Sequence, residues 1–349
     1  MRRAHSLGIR LAASLLVLGT VAACGPSLPP VPDGVSTISG YAEHLRDTGF
    51  SGAFLADHPG GTDAHALGLA DRKTGTGNEV GTAFDIGSIA KSFTAAAVLR
   101  LVDGGLLGPE TTLGELLAEV PADKREITVR QLLEHTSGLA EYHDTEGDFE
   151  PMSRAAALRR ILGQELKFRP GTGEAYSNSG YTLAAILVEE VTGRTFTAVV
   201  GDLFAAAGLE HTGFYGSETL RAIPVATGYE GSVHGRNNPA YWEPTWALLG
   251  GGGIAATVRD LRTWWQALRE STLLRPESTR LLLDAVAPEQ TVDGVRGRGT
   301  SGLNDFGFGA TIVQLERPRA VLVVASNANS PEDEITTEVG LVLAQLLAG

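Results

Sequence analysis

Residues 86–99 read Ile86-Gly87-Ser88-Ile89-Ala90-Lys91-Ser92-Phe93-Thr94-Ala95-Ala96-Ala97-Val98-Leu99, a stretch in which Lys91 is the only charge. After Gly87 it is alanine-rich and free of Gly and Pro, so a helix is expected from Ser88 to about Val102. Being apolar nearly all round, that helix must be buried on all sides. The chain on either side has to supply the layers that cover it.

Towards the N-terminus, Phe50 to Ala56 and Ala64 to Ala70 are short Gly-bounded runs that read as neighbouring strands, preceded by a helix marked by Tyr41 and Leu45. Towards the C-terminus the pattern is helical at Leu113 to Val120, Thr128 to His135, Ser153 to Leu162, Tyr181 to Val191 and Phe196 to Ala207. Strand-like runs return at Gly309 to Leu315 and Ala320 to Ser326, joined across Arg317-Pro318-Arg319. Ser330, Pro331 and Asp333 look like an N-cap, a first-turn proline and an acid at the third position of a last helix over Val339 to Leu347. Strands at both chain ends around a helical middle predict an α/β plus all-α fold: one antiparallel sheet flanked by helices, built from both chain ends, with an inserted helical domain. The expected limits are 37–349 for the whole domain, with a sheet part over 37–87 and 212–349 and a helical part over 88–211.

The chain has 349 residues, 43% hydrophobic and 20% charged, with 44 Gly and 16 Pro, which excludes a disordered, collagen-like or coiled-coil protein. Arg2, Arg3 and Arg10 precede an uncharged run from Leu11 to Ala23, too short to span a bilayer, so residues 1–23 read as a signal peptide. The run closes as Val21-Ala22-Ala23-Cys24, similar to the lipobox of bacterial lipoproteins, in which the Cys is lipidated; a plain secretory signal is the alternative. The proline-rich segment 24–36 would then be an extended tether, and the protein extracytoplasmic and held to the membrane through Cys24. As the sole cysteine, Cys24 also leaves the domain without an internal disulfide. Removing 1–23 leaves 25 basic against 41 acidic residues, a net charge of −16, which repels phosphate backbones. Nucleic acid is excluded as a partner.

Only four of the 28 basic residues are lysine, at 73, 91, 124 and 167, so lysine stands where arginine would not serve. A lone ammonium in so apolar a helix must be paired or must lower its pKa, and a desolvated lysine is able to act as a base. Ser88 lies three residues before Lys91, on the same helical face and at the helix start, where free N–H groups favour a developing oxyanion. Tyr176-Ser177-Asn178 lies in a Gly/Ser-rich loop just ahead of a helix starting near Gly180. There Tyr176 offers a phenol for proton transfer, and Asn178 a donor and an acceptor for an amide. The structural alternative is that Asn178 caps the helix and Tyr176 packs.

Gly87-Ser88-Ile89-Ala90-Lys91, His135-Thr136-Ser137-Gly138-Leu139, Tyr176-Ser177-Asn178-Ser179-Gly180-Tyr181 and the Gly252 to Leu261 segment, in this order and spacing, resemble the serine β-lactamase and D-alanyl-D-alanine peptidase superfamily, on its class C and carboxypeptidase side. The resemblance implies a β-lactamase/transpeptidase-like fold with its site in a crevice between sheet and helices. It implies Ser88 as the acylated nucleophile, Lys91 and Tyr176 as the proton-transfer pair, and Asn178 as partner of Lys91 and substrate, with no cofactor or metal. Its third element, commonly Lys-Thr-Gly or His-x-Gly on a strand edging the site, matches best at Thr300-Ser301-Gly302, with Leu303 lending the second oxyanion N–H beside that of Ser88. The cation of that element is missing here, unless Arg296 or Arg298 replaces it from a Gly-rich loop. Its loss counts against donors with a free carboxylate. The implied function is a serine hydrolase acting on an amide or ester, with a D-Ala peptide of the cell wall, a simple ester and a β-lactam as candidate substrates. The alternative is a binding protein for wall fragments that lacks turnover.

Other signals read as structural. His135 is expected to stabilise its loop, and no serine lies in a G-x-S-x-G elbow. The acidic stretch Glu141 to Glu150 fails the EF-hand pattern, since position six of a loop begun at Asp144 is Phe149, and reads as a solvated lid. Gly250 to Gly253 reads as a turn passing close to something large. Tyr241, Trp242 and Trp246 form either core or an aromatic wall.

Overall fold

The computed structural model describes residues 28–143, 149–230, 237–329 and 334–348. The expected signal peptide, Cys24, half of the acidic stretch (144–148) and the cap at Ser330, Pro331 and Asp333 lie outside these residues. The chain opens with helix α1 (Ile38–Asp47), whose cap Thr37 accepts from the Gly40 amide at 3.0 Å, and the hairpin β1 (Gly52–His58) and β2 (Gly61–Leu67). Short strands β3 (Leu69–Asp71), β4 (Thr76–Gly77) and β5 (Phe84–Asp85) lead through a 3-10 turn at Gly87–Ile89 into α2 (Ala90–Asp103). Helices α3 (Leu113–Leu116), α4 (Val129–Leu133), α5 (Arg154–Gly163), α6 (Asn178–Thr192) and α7 (Phe196–Ala207) follow. Then come β6 (Thr212–Phe214), α8 (Glu218–Arg221), β7 (Ile254–Ala256), α9 (Val258–Arg269) and α10 (Pro276–Val286). The last elements are β8 (Glu289–Val292), β9 (Val295–Leu303), β10 (Gly309–Leu315), β11 (Ala320–Ser326) and α11 (Ile335–Ala348).

The main sheet has the order β2-β1-β11-β10-β9-β8 and is antiparallel throughout, so the N-terminal hairpin lies directly against the C-terminal strands, with Gly52 opposite Ser326. Both faces are covered. Along β11, Val321, Val323 and Ala325 enter the layer shared with α2, α6 and α9, while Leu322 and Val324 enter the one under α1 and α11. Alternation of side chains across a strand therefore turns a continuous apolar run into two cores. A fully buried aliphatic side chain contributes about 1.5–3 kcal/mol, so such a strand anchors the fold.

Three local readings are corrected. Helices α3 and α4 are shorter than expected, each a single turn or so opened by a capping box, Thr112 with Glu115 and Thr128 with Gln131. Arg296 and Arg298 lie not in a loop but on β9, where glycine hides a strand: a Cβ on Gly297 would stand 2.3 Å from the Gln314 carbonyl oxygen. The expected tether is partly docked, since the Leu28 amide donates to Asp293 at 2.7 Å and Val31 and Val35 pack under the outer face of the sheet. Among the described residues no helix is long and apolar enough to cross a membrane.

Candidate active site

The site is built where the chain changes from strand to helix. Gly87 turns with φ of +48°, open to glycine at little cost, and delivers Ser88 to the start of α2 with Lys91 one turn on. Lys91 is 3% exposed and donates to Ser88 Oγ at 3.0 Å, Asn178 Oδ1 at 2.8 Å and the Gly251 carbonyl at 3.1 Å. Three acceptors match the three N–H bonds of an ammonium. The buried lysine is thus paired on all sides.

Tyr176 brings its hydroxyl to 2.6 Å from Ser88 Oγ. Its ring stacks on His135, with centroids 4.7 Å apart and planes 28° apart, and the Lys91 ammonium stands 4.7 Å from the ring centre. His135 adopts φ of +58° and accepts from the Ser177 amide through Nδ1 at 3.1 Å. Burial first, and the Lys91 charge second, push its pKa down to about 3, so it stays a neutral acceptor. It holds the loop that carries Tyr176.

Helix α6 starts at Asn178, earlier than the sequence suggested, because Ser177 is the cap and accepts from the Gly180 amide at 3.1 Å. Asn178 is thereby released from capping and aims its side chain at Lys91. The Glu141 carboxylate accepts from the Asn178 amide at 2.8 Å and the Ser179 amide at 3.3 Å, a negative charge at the positive helix end. This corrects the solvated-lid reading at Glu141, which is bound to α6; at the other described end Glu150 is exposed and pairs with Arg160 at 2.7 Å on the surface.

Strand β9 forms the opposite wall. A Cβ on Gly302 would lie 2.4 Å from the Ser88 nitrogen, and one on Gly87 would lie 2.6 Å from the Leu303 nitrogen, so the two main chains touch at this point. Thr300 and Ser301 line the cleft together with Ser88, Lys91, Tyr176 and Gln290. Neither arginine replaces the missing cation: Arg296 pairs with Glu289 at 2.6 Å and Arg298 with Asp284 at 2.9 Å.

Reading the sequence missed the Gly251 carbonyl and Glu141 as parts of the site. The Gly250 to Gly253 run was the available signal for the first: a Cβ on Gly250 would lie 2.3 Å from the Tyr181 carbonyl oxygen, and one on Gly251 3.1 Å from Asn178 Oδ1. The aromatic trio divides. Trp242 is buried against Phe149 and Tyr215, with ring centroids 5.0 Å away in each case, whereas Tyr241 is exposed.

A family model described as Beta-lactamase matches residues 38–344. D-aminopeptidase of Brucella anthropi is 31% identical over 255 residues, 69% of this chain and 46% of that protein. Esterase EstB of Burkholderia gladioli is 30% identical over 319 residues, 80% of this chain and 79% of the esterase. The crystal structure of a penicillin-binding protein from Bacillus halodurans superposes with a TM-score of 0.75 at 26% identity, over 89% of this chain and 100% of that one. This chain spans about half the length of the D-aminopeptidase.

Proposed function

This chain belongs to the β-lactamase family, and on that premise we propose that it is a serine hydrolase that works through an acyl-enzyme on an amide or ester carbonyl. The observation that carries the reading is Ser88 Oγ within 2.6 Å of the Tyr176 hydroxyl and 3.0 Å of Lys91 Nζ. Ser88 attacks the carbonyl, and as its proton passes to the Tyr176 oxygen the Tyr176 hydroxyl proton passes to the leaving group, with the Lys91 ammonium held beside both oxygens. Water then attacks the acyl-serine, and as its proton passes to the Tyr176 oxygen the Tyr176 proton returns to Ser88 Oγ and the acid is released. The Lys91 charge stabilises negative charge while it moves between the two oxygens, and the Ser88 and Leu303 amides accept the carbonyl oxygen as it becomes anionic. Asn178 fixes Lys91 from its other side and supplies an amide to the substrate.

Among the described residues lining the cleft, Lys91 is the only cation, and its three N–H bonds are taken. That supports acyl donors without a free carboxylate beside Thr300, and it ranks esters and aminoacyl amides ahead of D-Ala-D-Ala peptides and β-lactams, both of which carry one. Export and membrane attachment through Cys24 belong to the same proposal. The test is labelling of cell fractions with a fluorophosphonate and a fluorescent penicillin, with adducts mapped by mass spectrometry. Adducts at Ser88 from both probes indicate a peptidase, and from the fluorophosphonate alone an esterase. No adduct, or equal labelling of Ser88→Ala, overturns the reading in favour of a binding protein. Cys24→Ser should move the labelled protein into the medium, and continued membrane association would overturn the anchor.

A further inference from the structure

Asp85, on β5, is 1% exposed and is not among the groups that line the cleft. Its Oδ1 accepts from the Gly87 amide at 2.6 Å. Its Oδ2 accepts from Asn304 Nδ2 at 2.8 Å and from the Tyr215 hydroxyl. Gly87 is the residue before Ser88, and Asn304 the residue after Leu303. Asn304 is fixed in turn, because its Oδ1 accepts from the Phe306 amide at 2.9 Å and its own amide donates to the Phe308 carbonyl at 3.1 Å. One carboxylate thus holds, through its two oxygens, the residues that flank the two amides assigned above to the oxyanion.

We propose that Asp85 is a positioning residue that sets the separation of the Ser88 and Leu303 amides and so tunes the oxyanion contact of acyl transfer. The proposal rests on the serine-hydrolase reading. Three donors converge on this side chain, and a carboxylate is the group that only accepts. An amide in its place would turn one end into a donor facing Asn304 Nδ2, and the bridge would open. Burial pushes the Asp85 pKa up to about 6, with the three hydrogen bonds pulling the other way and no cation among its bonded partners. A carboxylate kept in so unfavourable a setting is one whose replacement by a neutral group should relax the fold while harming the reaction.

The experiment compares Asp85→Asn, Asn304→Ala, the exchange D85N/N304D and Ser88→Ala, using p-nitrophenyl acetate turnover, fluorophosphonate labelling rate and thermal unfolding. D85N should lower kcat and the labelling rate about 100-fold, on the order expected for a lost oxyanion contact, with KM within about twofold and Tm not lowered. The exchange restores a donor facing an acceptor and should recover at least about tenfold of kcat. Unchanged kcat in D85N overturns the proposal, as does a parallel loss of kcat and Tm that the exchange does not recover. If D85N fails to fold, N304A carries the test: kcat should fall with KM held, and an unchanged kcat overturns the proposal. Turnover that persists in S88A overturns the serine-hydrolase reading and this proposal with it, whereas a dead S88A beside an unaffected D85N overturns this proposal alone.

Discussion

The two walls of the cleft are made in different ways. On the helical side, Ser88, Lys91, Tyr176 and Asn178 meet through side-chain hydrogen bonds of 2.6–3.0 Å, and each depends on its own functional group. On the strand side, β9 contributes main chain, brought against Ser88 because Gly302 has no Cβ. One wall is therefore specified by what its residues carry and the other by what one residue lacks. Substitutions on the two sides should fail for opposite reasons: loss of a group on the first, gain of an atom on the second.

The largest effect is expected from Lys91→Arg. The guanidinium keeps the charge, but its planar fork does not fit three acceptors arranged around one nitrogen in a site 3% exposed. We expect about a thousandfold loss of kcat against p-nitrophenyl esters, within the range for a lost proton-transfer partner. Activity within tenfold of the parent would break the contrast, because charge alone would then suffice.

The next effect comes from the pair Gly302→Ala and Thr300→Ala on one strand. The added Cβ at 302 would lie 2.2 Å from the Ile86 carbonyl oxygen and 2.4 Å from the Ser88 nitrogen, so the walls must part. About a hundredfold loss of kcat and about 1–3 kcal/mol of stability should follow, read from kinetics and urea midpoints. Thr300→Ala removes atoms without moving main chain and should change kcat/KM by less than about threefold. Equal losses would show that the strand works through its side chains after all.

The smallest effect is the net slope of stability against pH in the parent, where two buried groups oppose each other. His135 has a folded pKa of about 3 against an ordinary 6.5, so the unfolded chain takes up the proton first; its contribution is present above pH 6.5 and is lost as pH falls towards 3, up to about 5 kcal/mol. Asp85 acts in the opposite sense. With a folded pKa of about 6 against 3.8, its contribution of about 3 kcal/mol is present below pH 3.8 and is lost as pH rises through 6. Between pH 4 and 7 the two contributions oppose and leave the parent nearly level, so urea midpoints should rise towards acid in His135→Asn and fall towards acid in D85N. Parallel curves in both variants would mean that neither group titrates as its burial implies.

The contrast between the walls also explains what the sequence could reveal. Ser88, Lys91, Tyr176 and Asn178 were legible because chemistry names residue types, and the sheet built from both chain ends was legible because β11 is apolar from Ala320 to Ala325 and β10 carries Ala310, Ile312, Val313 and Leu315. The β8–β9 hairpin was not. Gly297, Gly299 and Gly302 have low strand propensity, and the value of Gly297 and Gly302 lies in close approaches to Gln314 and Ser88 that no local window contains. Glu141 escaped for a related reason, since a carboxylate among other acids looks solvated until the start of α6 is placed beside it. Asp85 carries no local mark, because beyond the Gly87 amide its partners Tyr215 and Asn304 are 130 and 219 residues away along the chain.

The docking of Leu28 onto Asp293 makes for a short leash. Four residues of fully extended chain reach at most about 14 Å, so whatever is fastened at Cys24 stands no farther than that from the point where Leu28 is tied. Gln290, which lines the cleft, precedes Asp293 by three residues, at most about 10 Å of chain. A copy moored to a bilayer at Cys24 would feed from the layer immediately above the headgroups and leave deeper territory to freely diffusing enzymes.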